Sequence, residues 1–183
     1  MRTVTFGMNI SLDGYCDHTI FRPDVELHDY FIEMMNDVDL LFYGRTMYQL
    51  MFPYWEDVLK DETSTPDEIR FAEKITSIDK VVVSRSLDSA EGVTRIIRSN
   101  PAEELLKLKQ HPGKKISVDS VSMLPELIAA GLIDEFNLVV HPVIVGRGRR
   151  LLNAGSLQEN FNLKLVNSKT FQSGCIALHY VKE

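Results

Sequence analysis

Cysteine is scarce in this chain, with only Cys16 and Cys175 among 183 residues. One pair is the most they can form, and no C-x-x-C spacing is present, so neither a disulfide framework nor a cysteine-rich zinc site is expected. Both read as ordinary free thiols, and neither has a histidine partner recognisable in the sequence. The five histidines, at positions 18, 28, 111, 141 and 179, show no H-x-x-x-H spacing, and no metal site is expected. Long apolar runs are also missing. No window approaches the roughly 18 residues a membrane span needs, and the N-terminus lacks a basic region followed by an apolar core, which together predict a cytoplasmic protein. Basic residues are in deficit, 20 Lys and Arg against 26 Asp and Glu, and the net charge of −6 argues against general nucleic-acid binding. No G-x-S-x-G string surrounds a serine, so the usual nucleophilic constellation is lacking. There is no internal repeat, low-complexity segment or linker. With 44% hydrophobic residues, positions 1–183 read as a single domain with a sizeable core.

The most informative stretch runs from Asp119 to Leu152. Met123, Leu124, Leu127, Ile128 and Leu132 recur at helical spacing, so one face of a helix can be buried against a sheet. Gly131 then supplies a helix stop. The following run, Phe136 to Val145, is apolar and β-branched enough to predict a strand buried on both faces.

Earlier in the chain, Val4 to Ser11 predicts a first strand that ends at the Asp13-Gly14 turn. Asp24 is a candidate N-cap for a helix carrying Val25, Leu27, Tyr30, Phe31, Met34 and Met35. Val38 to Tyr43 is a short buried strand leading into Gly44-Arg45-Thr46 and a helix to about Met51. Residues 53–66 read as a polar, proline-bounded surface excursion, with Pro66 opening a helix to about Thr76. Lys80 to Ser84 and Thr94 to Arg98 are the next strands. Asn100-Pro101 starts a helix to Gln110, and Lys115 to Val118 is strand five. Asn162 to Phe171 and Cys175 to Val181 form a closing hairpin.

This alternation predicts an α/β, three-layer fold: a mostly parallel central sheet, helices on both faces and a C-terminal antiparallel hairpin. Ligands in such sheets bind beyond the carboxyl ends of the strands. Asp13, Gly44, Ser84 and Asp119 all follow strand ends and are expected to converge on one cleft.

Four strings in this order carry a family resemblance: Ser11-Leu12-Asp13-Gly14-Tyr15, Gly44-Arg45-Thr46-Met47-Tyr48, Val83-Ser84-Arg85, and the segment from Ala130-Gly131-Leu132 through His141-Pro142-Val143-Ile144-Val145-Gly146-Arg147. Over nearly its whole length the chain resembles the dihydrofolate-reductase-like family that includes the reductase domain of the bifunctional riboflavin-biosynthesis deaminase-reductase. The resemblance implies an NADPH-dependent reductase of a small pterin- or pyrimidine-type heterocycle, acting by hydride transfer, in a homodimer and without the zinc deaminase half.

Two readings of most site residues stand side by side. Gly44, Arg45 and Thr46 suit a pyrophosphate, through close backbone approach, amide donors and a guanidinium, or form a plain helix start with a solvated Arg. The resemblance implies the former. Ser84 and Arg85 match the position from which the family reaches the ribose phosphate; a loop arginine is the plainer reading. Asp119 and Ser120 stand where the family has consecutive glycines, and the resemblance counts them, with Val121, among the cofactor-binding positions. A carboxylate there repels a pyrophosphate, and Asp119 and Ser120 as helix N-caps would take over the amides themselves. That departure supports the alternative of a non-catalytic, dimeric ligand-binding or regulatory relative. Asp13 is the expected proton-relay carboxylate, with a raised pKa if buried, or else a stabiliser of its own turn. Asp24 and Asp29 are secondary candidates. Arg147, Arg149 and Arg150 form a basic cluster that suits a substrate phosphate, a second subunit or solvent. The aromatic and methionine group from Phe42 to Trp55 could line a pocket for a flat ring or pack in the core.

Overall fold

A computed structural model describes residues 1–183 apart from Thr94. Strand β1 (Val4–Ser11) is followed by α1 (Val25–Met34), a 3-10 turn, β2 (Val38–Gly44), α2 (Arg45–Val58), α3 (Pro66–Ser77), β3 (Asp79–Val83) and β4 (Arg95–Ile97). Then come α4 (Pro101–Gln110), β5 (Lys115–Asp119), α5 (Leu124–Ala129), β6 (Glu135–His141), β7 (Leu163–Thr170) and β8 (Ile176–Lys182). They form one eight-stranded sheet in the order β4-β3-β2-β5-β1-β6-β8-β7. The strands from β4 to β6 are parallel, and β8 and β7 add the antiparallel edge. The start expected for strand four at Thr94 lies outside the described residues.

Strand alternation sends successive side chains to opposite faces and so builds two cores. Leu40 and Phe42 of β2 join Phe6, Ile116 and Val118 beneath α4 and α5. Leu41 and Tyr43 join Val82 beneath α2 and α3. The caps act as their residue types require: Asp24 accepts from the Leu27 amide at 3.0 Å and Asn100 from the Glu103 amide at 3.0 Å. Gly131, at φ +66°, lets the Leu132 amide turn back to the Leu127 carbonyl at 3.0 Å.

Three expectations fail. Helix α2 does not stop near Met51 but runs through Pro53 to Val58. A proline inside a helix costs about 3 kcal/mol. The stripe Tyr48, Phe52, Trp55 and Val58 continues past it, buried throughout, and each such side chain stabilises by about 1.5–3 kcal/mol, which outweighs the break. Strand β6 ends at His141, short of Val145, because Pro142 has no amide to donate to the ladder; Ile144 is 75% exposed. Asp119 and Ser120 do not cap α5, which begins only at Leu124 after a turn, with Met123 at its N-cap and no side-chain cap. The five apolar positions from Met123 to Leu132 are nevertheless all buried.

Candidate active site

The carboxyl ends of β3, β2, β5 and β1 lie side by side, so Ser84, Gly44, Asp119 and Asp13 follow four successive strands of the sheet. Around Gly44 the chain prepares a place for an anion. Gly44 is the N-cap of the 14-residue α2 and no side chain caps that helix, so its first amides are left to an outside acceptor. Arg45 and Thr46 are exposed beside them, and Arg45 Nη1 donates to Ser86 Oγ at 2.6 Å, tying this turn to the loop after β3. Arg98 donates from the other side to the carbonyls of Arg85 at 3.2 Å and Leu87 at 2.8 Å, which fixes that loop with the Arg85 side chain exposed. Ser84 is buried, and its hydroxyl accepts from the amides of Ser86 at 3.3 Å and Leu87 at 3.0 Å. It therefore shapes the turn, and Arg85 is the outward-facing member of the pair.

Period-two alternation separates Asp119 from Ser120. Ser120 is buried against Gly44, where an added Cβ would lie 2.9 Å from the Ser120 Cβ, so the loops after β2 and β5 touch with glycine's missing side chain as the clearance. Val121 is half-buried against the core. Asp119 faces the other side of the sheet, together with Ser117, and lines a cavity of about 560 Å³.

Within the range typical of small-molecule sites, the cavity lies between the sheet and α1, α2 and α3, and residues of the loop 18–23 also line it. Tyr43, Met47, Met51 and Trp55 line it, whereas Phe42 belongs to the opposite core. Its one arginine, Arg22, is exposed. Among the described residues, four atoms of its lining side chains are enclosed without a hydrogen-bond partner: His18 Nε2, His28 Nε2, Trp55 Nε1 and Asp119 Oδ2. Buried polar atoms are seldom left so. Burial pushes the Asp119 carboxyl up to about 7, against the pull of the Ser117 hydroxyl. Burial likewise lowers the His18 imidazole and, with Asp119 nearby, raises the Tyr43 phenol.

Asp13 departs from its expected chemistry. Its carboxylate accepts from the Ser11 hydroxyl at 2.7 Å and from the amides of Val145 at 3.1 Å and Gly146 at 2.7 Å. These bonds hold it at about 2, far below the raised value expected of a proton donor near neutrality. It fastens the first loop to the Gly146–Arg150 turn, where the exposed Arg150 guanidinium lies 4.8 Å from the Tyr15 ring centroid. Asp24 is occupied as a cap and Asp29 pairs with Arg70 at 2.9 Å, on the surface.

Sequence reading missed His28, whose signal is long-range: Nδ1 lies 2.6 Å from Asp67 Oδ2, thirty-nine positions away. It also missed that Cys175 has a histidine partner. The Cys175 thiol donates to His141 Nδ1 at 3.3 Å, and His141 Nε2 donates to Asn9 Oδ1 at 2.9 Å, a buried chain that fixes Asn9 in the cavity floor. Burial lowers the His141 pKa, which keeps the ring neutral in this role.

A mostly parallel sheet with an antiparallel hairpin, an uncapped helix start beside basic loops and an aromatic cavity against the same strand ends define a dihydrofolate-reductase-like architecture. The family model for the RibD C-terminal domain matches residues 2–177, and the chain belongs to that family. The uncharacterized protein YyaP of Bacillus subtilis (strain 168) is 30% identical over 187 residues, covering 98% of this chain and 94% of YyaP. Among solved structures, a Shewanella sp. PV-4 protein named for riboflavin biosynthesis superposes with a TM-score of 0.74 at 17% identity, covering 100% of this chain and 99% of that one. Dihydrofolate reductase from Enterococcus faecalis, in complex with NADP(H), gives a TM-score of 0.66 at 13% identity over 99% and 96% of the two chains. Among the described residues no helix is long and apolar enough to cross a membrane.

Proposed function

We propose that the protein is an NADPH-dependent reductase of a small, flat heterocycle of pterin or pyrimidine type. The observation that carries this reading is Asp119. Its register partner is Tyr43, the residue before Gly44, so the one enclosed carboxylate of the cavity sits at the seam between the aromatic chamber and the phosphate-binding turn.

NADPH, when bound, supplies the hydride. Gly44 and the first amides of α2 would hold its pyrophosphate, Thr46 would add a hydroxyl donor, and Arg45 and Arg85 would match phosphate charge, with Arg85 assigned to the 2′-phosphate. Ser84 supports that contact by shaping the turn, while Ser120 packs against Gly44 and Val121 against the core. The cavity walls orient the heterocycle and exclude water. Asp119, whose pKa of about 7 leaves it largely protonated in mildly acidic solution and about half protonated at neutrality, donates the proton that the ring nitrogen of a reduced C=N bond requires; the carboxylate then recovers a proton from solvent. Asp13 is a loop-fastening residue in this scheme. A second copy of the chain would meet the outer edge of β7, which is unpaired and exposes Leu165 and Val166.

The test is NADPH oxidation in the presence of oxidised pterins and pyrimidines. Turnover that falls at least about a hundredfold in Asp119→Asn with NADPH affinity retained supports the assignment; undiminished turnover in that variant removes Asp119 from the chemistry. The contrary reading, a non-catalytic ligand-binding relative, draws on Ser120 filling space beside Gly44. It predicts a parent chain that binds no NADPH and gains binding on Ser120→Gly.

A further inference from the structure

The cavity wall opposite the sheet carries a donor and an acceptor with nothing to meet them. His28 stands on α1, Asp67 on α3 and Trp55 on α2, and the rings of His28 and Trp55 meet nearly at right angles with centroids 6.0 Å apart. Phe71 packs against both, at 5.4 Å and 4.5 Å between centroids. A carboxylate can only accept, and Asp67 is held below the usual carboxylate range by its bond to His28, so Nδ1 of His28 carries the proton. In the neutral ring Nε2 is then an acceptor. Trp55 Nε1 is a donor and nothing else. Both atoms are enclosed, neither has a partner, and both side chains line the same cavity.

We propose that His28, fixed as an acceptor by Asp67, and the Trp55 indole N–H are specificity-determining groups that read the –NH–C(=O)– edge of a neutral cyclic amide. The ring N–H donates to His28 Nε2 and the ring carbonyl accepts from Trp55 Nε1, while the far side of the heterocycle faces Asp119 on the sheet. Held in the lactam's orientation by Asp119 on its far side, an amidine edge sets its ring-nitrogen acceptor against His28 Nε2 and its amino donor against the indole N–H. A carboxylate edge leaves His28 facing an acceptor. The site therefore selects for lactams and imides over amino-substituted analogues of the same shape. This rests on the reading of the cavity as the substrate site.

Trp55 is the chain's only tryptophan, so intrinsic fluorescence reports occupancy of this wall directly. The probes are a quinazolinone, with a lactam edge, and the matching aminoquinazoline, titrated into the intact protein with and without NADPH. The quinazolinone is expected to quench saturably and to bind about 5- to 100-fold more tightly than the amine. His28→Phe keeps a ring in the wall and removes the acceptor, and should abolish that preference; circular dichroism checks that the variant is folded. Asp67→Asn frees the tautomer and should reduce the preference while leaving the cavity closed. For Trp55→Phe, calorimetry replaces fluorescence, with the lactam losing affinity and the amine changing little. Equal affinities in the parent, no saturable quenching by the lactam, or a preference unaltered by His28→Phe each overturns the proposal. If the preference holds and no NADPH binds, the recognition stands and the reductase reading falls. If NADPH binds and the preference is missing, the reverse follows.

Discussion

Replacing Asp119 by asparagine should make the protein more stable at alkaline pH and leave its stability unchanged near pH 4. Burial lifts the Asp119 carboxyl from 3.8 to about 7, and its Oδ2 atom is enclosed without a partner. The difference is about three pH units at about 1.4 kcal/mol each, or ~4 kcal/mol, and roughly half of that if water reaches the other oxygen of this half-buried residue. Between 3.8 and about 7 the folded chain holds a proton that the unfolded chain has lost. Stability contributed by the neutral carboxyl is thus complete below the lower value and is lost as pH rises through the upper one. Asp119→Asn has no such loss. For a chain of this size the gain at about pH 8 corresponds to roughly 4–16 °C in Tm. Thermal unfolding of parent and variant across the acid-to-alkaline range measures it. Curves that run parallel from about pH 4 to pH 8 would refute the assignment of a desolvated carboxyl to this position.

Other consequences can be checked independently. Arg85→Ala should weaken NADPH about 10- to 100-fold while changing NADH little, since a charged hydrogen bond to the 2′-phosphate is lost; equal losses for both nucleotides would move Arg85 off that group. Pro53→Ala should stabilise the chain by about 1–2 kcal/mol, restoring a helical amide while giving back some unfolded-state entropy, as read by urea unfolding. Asp13→Ala should speed amide exchange at Val145 and Gly146 without moving the near-neutral limb of a pH–rate profile, because its carboxyl lies at about 2. Lys80, buried with its pKa lowered to about 8 by desolvation, adds the opposite pH trend: the unfolded chain binds the extra proton, so stability rises from about 8 towards 10.5.

Much of the fold was legible because its determinants are local. Helical and alternating periodicity, the caps at Asp24 and Asn100 and the stop at Gly131 each act within a few residues. The exceptions have two kinds of cause, tertiary burial that overrides a local break and a local break that overrides an apolar run. Pro53 reads as a boundary until the buried stripe around it is seen, and the apolar run after His141 reads as strand until Pro142 breaks the ladder. The site was less legible. Loop positions such as Gly44, Arg45 and Arg85 follow strand ends and can be found from order alone. The chemistry of the carboxylates cannot: Asp13 and Asp119 both stand at strand ends, and only tertiary contacts add two backbone amides to the local Ser11 bond of the one and leave an oxygen of the other enclosed with no partner. His28 with Asp67, and Cys175 with His141 and Asn9, are joined across sequence separations that carry no spacing signal.

The central claim, that the loops after β2, β3 and β5 grip a phosphorylated dinucleotide beside the aromatic cavity, is tested most directly by titrating the purified protein with NADPH and following nicotinamide fluorescence. Saturable enhancement with a Kd well below about 1 mM, weakened in Arg45→Ala and in Arg85→Ala, is the predicted result. A trace that stays linear to about 1 mM, or saturation indifferent to both arginines, would contradict it.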